Sequence, residues 1–194
     1  MIVARALEKR YGPKRALRPV DLTLARGEFL VVTGANGSGK TTLLRLVAGL
    51  AAPTGGRLEV DTDRARLGFL GHEPLVYRDL TAVENLDLYG HLYHVPQRRE
   101  RLGMLLERFG LWDVRNDRTG SYSRGMLQRL ALCRVLVHDP ELLVLDEPFT
   151  ALDEAGAKLV DRLLLELAGA RTVLLSTHDP RRVDSLATAR LALA

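Results

Sequence analysis

Residues 29–50 read FLVVTGANGSGKTTLLRLVAGL, and the order of characters within them decides the fold. Phe29–Thr33 is an apolar run of strand length. Gly34–Thr41 fits G-x-x-x-x-G-K-[ST], and Leu43, Leu44, Leu46 and Val47 then recur at helical spacing. Strand, glycine-rich turn and helix in that order make a phosphate cradle. Glycines at 34, 37 and 39 let backbone N–H groups turn toward an anion without Cβ collisions. The helix that starts near Lys40 aims its positive dipole end at the same point. On this reading Asn36, Gly37, Ser38 and Gly39 wrap the phosphates and Lys40 reaches the β- and γ-phosphates. Thr41 is a Mg²⁺ ligand, and the Thr42 amide lies near the α-phosphate. The loop alone does not choose among kinases, switch GTPases, motors and transport ATPases.

Working outward, residues 28–33, 142–145 and 172–176 are near-continuous apolar runs, as expected for strands covered on both faces. Shorter strand-like segments lie at 2–7, 20–24, 56–60 and 66–70. Val83–Tyr93, Arg98–Phe109 and Met126–His138 carry helical spacing with no strand between them. The pattern predicts one α/β domain over 1–194. A mostly parallel sheet forms its core, from about 1–75 and 136–194, and a helical subdomain is inserted at about 76–135.

The bulk numbers agree. The chain has 194 residues, 46% hydrophobic and 27% charged, which suits one folded domain and argues against disorder. No apolar run approaches the roughly 18 residues of a bilayer span, and the opening MIVARALEKRYG lacks the apolar region of a signal peptide. The expectation is a cytoplasmic chain whose membrane role comes through a partner. The chain stops soon after Leu191, so no regulatory C-terminal domain is expected. A net charge of +4 is modest, and the densest basic run, QRRER at 97–101, reads as a solvated helix face rather than a nucleic-acid footprint. The single cysteine, Cys133, sits in an apolar-periodic stretch and reads as a buried apolar residue.

Two further strands end in chemistry. ELLVLDEP, residues 141–148, emerges at two acids. Asp146 suits the carboxylate that holds Mg²⁺ through water, and Glu147 is placed to polarise an attacking water. TVLLSTHD, residues 172–179, ends at His178, which is placed to hydrogen-bond a γ-phosphate and the water-activating acid. Between them SYSRGMLQR, residues 121–129, starts a helix that Ser121 or Ser123 caps.

Glycine loop, SYSRGMLQR, LLVLDEP, TALD and STHD, in this order, resemble the nucleotide-binding subunit of an ATP-binding cassette (ABC) transporter over nearly the whole chain. The resemblance implies a P-loop NTPase with a RecA-like, mainly parallel core, an antiparallel β subdomain and the helical insertion. It also implies two ATP molecules sandwiched in a head-to-tail homodimer, with Ser123, the Gly125 amide and their helix N-terminus reaching the partner's γ-phosphate in trans. The family's L-S-G-G-Q is altered here: Tyr122, Arg124 and Met126 replace Leu, the first Gly and Gln. Arg124 reads mainly as a surface variant, with a supplementary trans charge, like an arginine finger, as the sharper hypothesis. Tyr11 matches the aromatic that stacks on adenine, Asp153 the loop linking the two sites, Glu147 the catalytic base and His178 the switch histidine. His72 stands where the family has a glutamine that touches Mg²⁺ and the attacking water; histidine reaches less far and adds pH sensitivity.

Transmembrane permease subunits follow as partners, docking around Pro74–Leu80 through an exposed patch of Leu75, Val76 and Tyr77, and would hold the chain peripherally on the inner face of the membrane. Gly71-His72 in so short a chain resembles the ATP-binding subunit of the haem exporter used in cytochrome c maturation. His91 and His94 are expected to face solvent or to pack rather than to bind haem. The alternatives are an exporter of drugs, lipids or ions and a non-transport cassette acting on ribosomes or nucleic acid. A small-molecule kinase leaves Ser123–Gly125 and His178 unexplained.

Overall fold

Alternate residues of a strand face opposite ways, and here they feed two separate cores. The computed structural model describes residues 1–194. In chain order the strands are β1 (Ile2–Tyr11), β2 (Lys14–Leu24), β3 (Phe29–Gly34), β4 (Gly55–Val60), β5 (Leu67–Leu70), β6 (Leu142–Asp146), β7 (Thr172–Ser176) and β8 (Ala189–Leu193). The helices are α1 (Lys40–Val47), α2 (Ala82–Leu92), α3 (Arg98–Arg108), α4 (Arg124–Leu136) and α5 (Glu154–Leu167). Five strands form a parallel sheet in the order β5-β6-β7-β3-β8. The other three form an antiparallel sheet, β2-β1-β4.

Phe29, Val31, Leu143, Leu145, Val173 and Leu175 face a core shared with α2, α3, α4 and α5. Their neighbours Leu30, Val32, Leu142, Val144 and Leu174 face a second core with α1 and the antiparallel sheet. That two-sided burial is why these strands read as unbroken apolar runs. It also fixes register, because a slip by one residue would exchange the two faces. Both covered faces leave the strands' C-terminal ends as the open edge, where β3, β6 and β7 bring their polar tips together.

Three helices follow one another between β5 and β6, close to the predicted positions. α2 opens with a capping box: Thr81 Oγ1 accepts from the Glu84 amide and Glu84 Oε2 from the Thr81 amide. Cys133 is buried as expected, and burial pushes its thiol far above the ordinary value. The basic run behaves differently from the expectation. Arg98 pairs with Asp87, and Arg101 Nη2 donates to the Leu136 carbonyl at 2.8 Å, so two of its arginines pin α3 to its neighbours while Arg99 remains exposed.

Sequence patterning missed the outer half of the β1–β2 ribbon, because Glu8, Lys9, Arg10, Lys14 and Arg15 carry no apolar alternation. It also passed over α5, whose Ala157, Val160, Leu163 and Leu164 form a buried stripe, and β8, a half-exposed edge strand.

Candidate functional site

The turn between β3 and α1 is shaped by glycines that no other residue replaces. Gly34 has φ +149, and a Cβ there would lie 2.5 Å from both the Leu193 carbonyl and Ser38 Oγ. Gly39, at φ +103 just before α1, would place a Cβ 2.6 Å from the Ala16 carbonyl. The loop is therefore wedged between β8 on one side and β2 on the other. Inside it Lys40 is buried, and its Nζ donates to the carbonyls of Gly34 at 2.8 Å and Ala35 at 3.3 Å.

From Lys40 the next residue leads to the acids. Thr41 Oγ1 donates to Asp146 Oδ2 at 2.7 Å, at the end of β6. Asp146 is buried, and its other oxygen accepts from Ser176 Oγ at 2.6 Å across the β6–β7 pair. The same Ser176 oxygen accepts from the Glu147 amide at 3.1 Å. Glu147 sits at φ +51, a conformation costing a non-glycine residue roughly 1–3 kcal/mol that its surroundings must hold. Its Oε2 accepts from the His178 amide at 3.2 Å and meets His178 Nδ1 at 2.8 Å. An ionised carboxylate only accepts, so Nδ1 carries the proton in that contact and Nε2 is left as the free ring nitrogen. One bonded chain thus runs Thr41–Asp146–Ser176–Glu147–His178.

A cleft of about 360 Å³ opens over this chain and gathers Asn36, Gly37, Gly39, Lys40, Thr41, Thr42, His72, Asp146 and Glu147. His72 reaches the site from the segment after β5. Ser38 is held in the turn with a buried, unpartnered Oγ. Tyr11 lies outside the cleft wall, 52% exposed at the β1–β2 turn, with Lys9 Nζ 4.8 Å from its ring centre. Lys14 and Arg15, from the same ribbon, do line the cleft. Neither they nor Ser176 were singled out from sequence. A hydroxyl at the tip of an apolar strand, in register with an acid, was the signal available for Ser176.

The predicted trans residues sit apart from the cleft. Ser123, rather than Ser121, caps α4, its Oγ accepting from the Met126 amide at 3.2 Å. Arg124 is exposed at the first helical position. Tyr122 is buried and donates to the Val114 carbonyl at 2.7 Å, so it anchors the helix start from within. Gly125 packs against the loop after Glu147, where a Cβ would lie 3.0 Å from the Ala151 carbonyl. Asp153, in that loop, caps α5 by accepting from the Gly156 amide at 2.8 Å. His91 and His94 are exposed.

Comparison with known proteins adds an independent line. A sequence model described as ABC transporter matches residues 17–150. The daunorubicin resistance ATP-binding protein DrrA3 of Streptomyces coeruleorubidus is 41% identical, over 96% of this chain and 63% of that protein. The chain therefore spans less than two thirds of that relative's length. The ABC transporter ATP-binding protein NatA of Bacillus subtilis (strain 168) is 36% identical, over 96% of this chain and 82% of its own length. Among solved structures, the ATP-binding cassette MJ0796, as a dimer in a post-hydrolysis state bound to ADP and Pi, superposes with a TM-score of 0.89. The match has 28% identity and covers 100% of this chain and 94% of that one. Phosphate loop, paired acids, fold and relatives coincide, and the chain belongs to the ABC transporter family, as an ATP-binding subunit.

Proposed function

We propose that this chain binds and hydrolyses ATP as a head-to-tail homodimer that drives transport through a separate membrane permease. The observation that carries the proposal is the bonded chain from Thr41 to His178 along the strand tips, facing the phosphate cradle. Glu147 takes a proton from the attacking water, and His178 orients its carboxylate. Lys40 and the loop amides hold the triphosphate, Tyr11 stacks on adenine, and His72 bounds the water's side of the cleft. The oxygens of Thr41 and Asp146 form a small, hard set, suited to a Mg²⁺ that takes its remaining ligands from phosphates and water. Bound there, the metal would supply charge neutralisation for the transferred phosphoryl group.

Ser123, Gly125 and the N-terminus of α4 face the partner's nucleotide in the closed pair, with Arg124 beside them and Asp153 at the seam. Mixed variants test that arrangement. Lys40→Ala and Ser123→Arg should each be inactive alone. Mixed in equal amounts they should recover about a quarter of the wild-type rate, because half of randomly formed pairs are mixed and each has one intact site. Phosphate release reads the outcome; no recovery would remove Ser123 from the trans role.

For the permease, the segment after His72 offers a surface. Leu75 and Tyr77 are 51% and 54% exposed, beside an apolar groove. Val76 instead packs against the core. No helix is long and apolar enough to cross a membrane. On this reading the permease holds the chain at the inner membrane face. A relative bears the name of a daunorubicin resistance protein, which supports transport as the task. Gly71-His72 favours a narrower second reading, haem export for cytochrome c maturation. Loss of covalent haem from c-type cytochromes on deletion of this gene, read by haem staining, would be the expected result, and unchanged staining would remove it.

A further inference from the structure

Away from the nucleotide, α2, α3 and the turn after α3 enclose a cavity of about 490 Å³, larger than the nucleotide cleft and sharing no residue with it. Its apolar lining is Val83, Leu102, Leu106 and Trp112, the one tryptophan of the chain. A hollow of this size, with an apolar floor and a few polar groups, has the usual form of a small-molecule site. Gly103 keeps it open. It stands in the middle of α3, where glycine weakens a helix relative to alanine. A Cβ there would come no nearer than 3.5 Å, to Cζ3 of Trp112, an ordinary van der Waals distance. Packing therefore does not demand the glycine. Its missing side chain leaves the edge of the indole uncovered toward the cavity.

The charges around the rim do not balance. Three guanidiniums, Arg98, Arg99 and Arg115, face two carboxylates, Glu84 and Asp87. Both acids are already engaged. Glu84 Oε2 accepts from the Thr81 amide at 2.8 Å, and Asp87 pairs with Arg98 and lies 3.5 Å from His91 Nδ1. Arg115 is laid on Trp112, its guanidinium carbon 3.8 Å from the ring centre, and its Nη1 donates to the Trp112 carbonyl at 2.7 Å. Neither Arg115 nor the exposed Arg99 pairs with a carboxylate. Two cations thus stand unmatched beside an aromatic, apolar hollow.

We infer that this cavity binds a small organic anion, a carboxylate carried on an extended apolar body. The body lies against Leu102, Leu106 and the indole edge, and the carboxylate pairs with Arg115 and Arg99. Apolar burial supplies the attraction, and the guanidiniums supply the choice of charge, since a neutral ligand leaves both of them unmatched. Arginine suits the task because it presents paired donors to a carboxylate and can do so while stacked on a ring. The inference is independent of the transport reading, because no group of the cavity belongs to the nucleotide cleft.

The probes are decanoate and decanamide, alike in length and different in charge. Because Trp112 is the sole tryptophan, its emission in the unaltered protein reads occupancy directly. Decanoate should change that emission saturably and bind at least about tenfold more tightly than decanamide. Gly103→Leu puts a side chain into the hollow and removes a glycine from a helix, so it should abolish decanoate binding while the thermal midpoint holds or rises. In the double substitution Arg99→Gln, Arg115→Gln the two probes should bind alike. No saturable response to decanoate overturns the inference, as does equal binding of the two probes, and neither result needs a variant. Decanoate binding that survives Gly103→Leu overturns it by placing the site elsewhere. So does a preference for decanoate that survives the double arginine substitution.

Discussion

Glu147→Gln should lower ATP turnover by at least about 100-fold while leaving ATP binding intact, the expected cost of losing a general base. Gln keeps the shape and the contact with the His178 amide, which donates to Glu147 Oε2 at 3.2 Å in the wild type. It cannot accept a proton from water. The strained φ of +51 and the amide bond to Ser176 belong to the backbone and survive the change. A chain that binds but does not turn over should accumulate as the ATP-closed pair. Light scattering should therefore give twice the monomer mass with Mg-ATP and the monomer mass without it. Turnover within a few-fold of wild type would remove Glu147 as the base. A nucleotide-bound monomer would instead mean that the altered segment 122–126 or His72 has weakened closure, or that closure needs the membrane partner.

Gly39→Ala has the second large effect, and its cause is steric. The new Cβ would lie 2.6 Å from the Ala16 carbonyl, and φ of +103 is strained for any L side chain. Backbone strain alone costs about 1–3 kcal/mol. The clash must also move β2 or the loop, and a displacement on the order of 1 Å at a positioning element costs about 100-fold. Nucleotide affinity, followed with a fluorescent ATP analogue, should fall by about that factor. Gly37→Ala is the control: its φ of +85 is strained, but a Cβ there meets nothing within 4 Å. It should lose stability with a much smaller loss of affinity. Equal affinities for the two variants would show that contact with β2 does not hold the loop.

The parts of the site legible in the sequence were those where one residue type answers one physical demand. Gly34, Gly39 and Lys40 stand between a strand and a helix, and Asp146 and Glu147 end an apolar run, so spacing alone indicated a phosphate cradle facing acids. Tyr122 could not be read this way. It replaces an apolar residue of the family pattern, yet its hydroxyl is anchored on Val114, a contact visible only once the segment before α4 has folded back. Ser176 was hidden for a related reason. Its importance lies in being opposite Asp146 across two paired strands, which no local pattern encodes. The outer β1–β2 ribbon escaped because charged residues on an exposed two-stranded arm leave no apolar period to detect.

Ser176 has a mechanical consequence. Ser176 holds the carboxylate of Asp146 through its hydroxyl and the peptide of Glu147 through both that hydroxyl and its main-chain carbonyl, so the two acids share one hinge pin rather than standing on separate posts. A tug on Asp146 from the nucleotide side is transmitted to the peptide that sets where Glu147 points, and a twist of that peptide is returned to Asp146. On the proposed reading, gripping the nucleotide and aiming the base are then coupled movements.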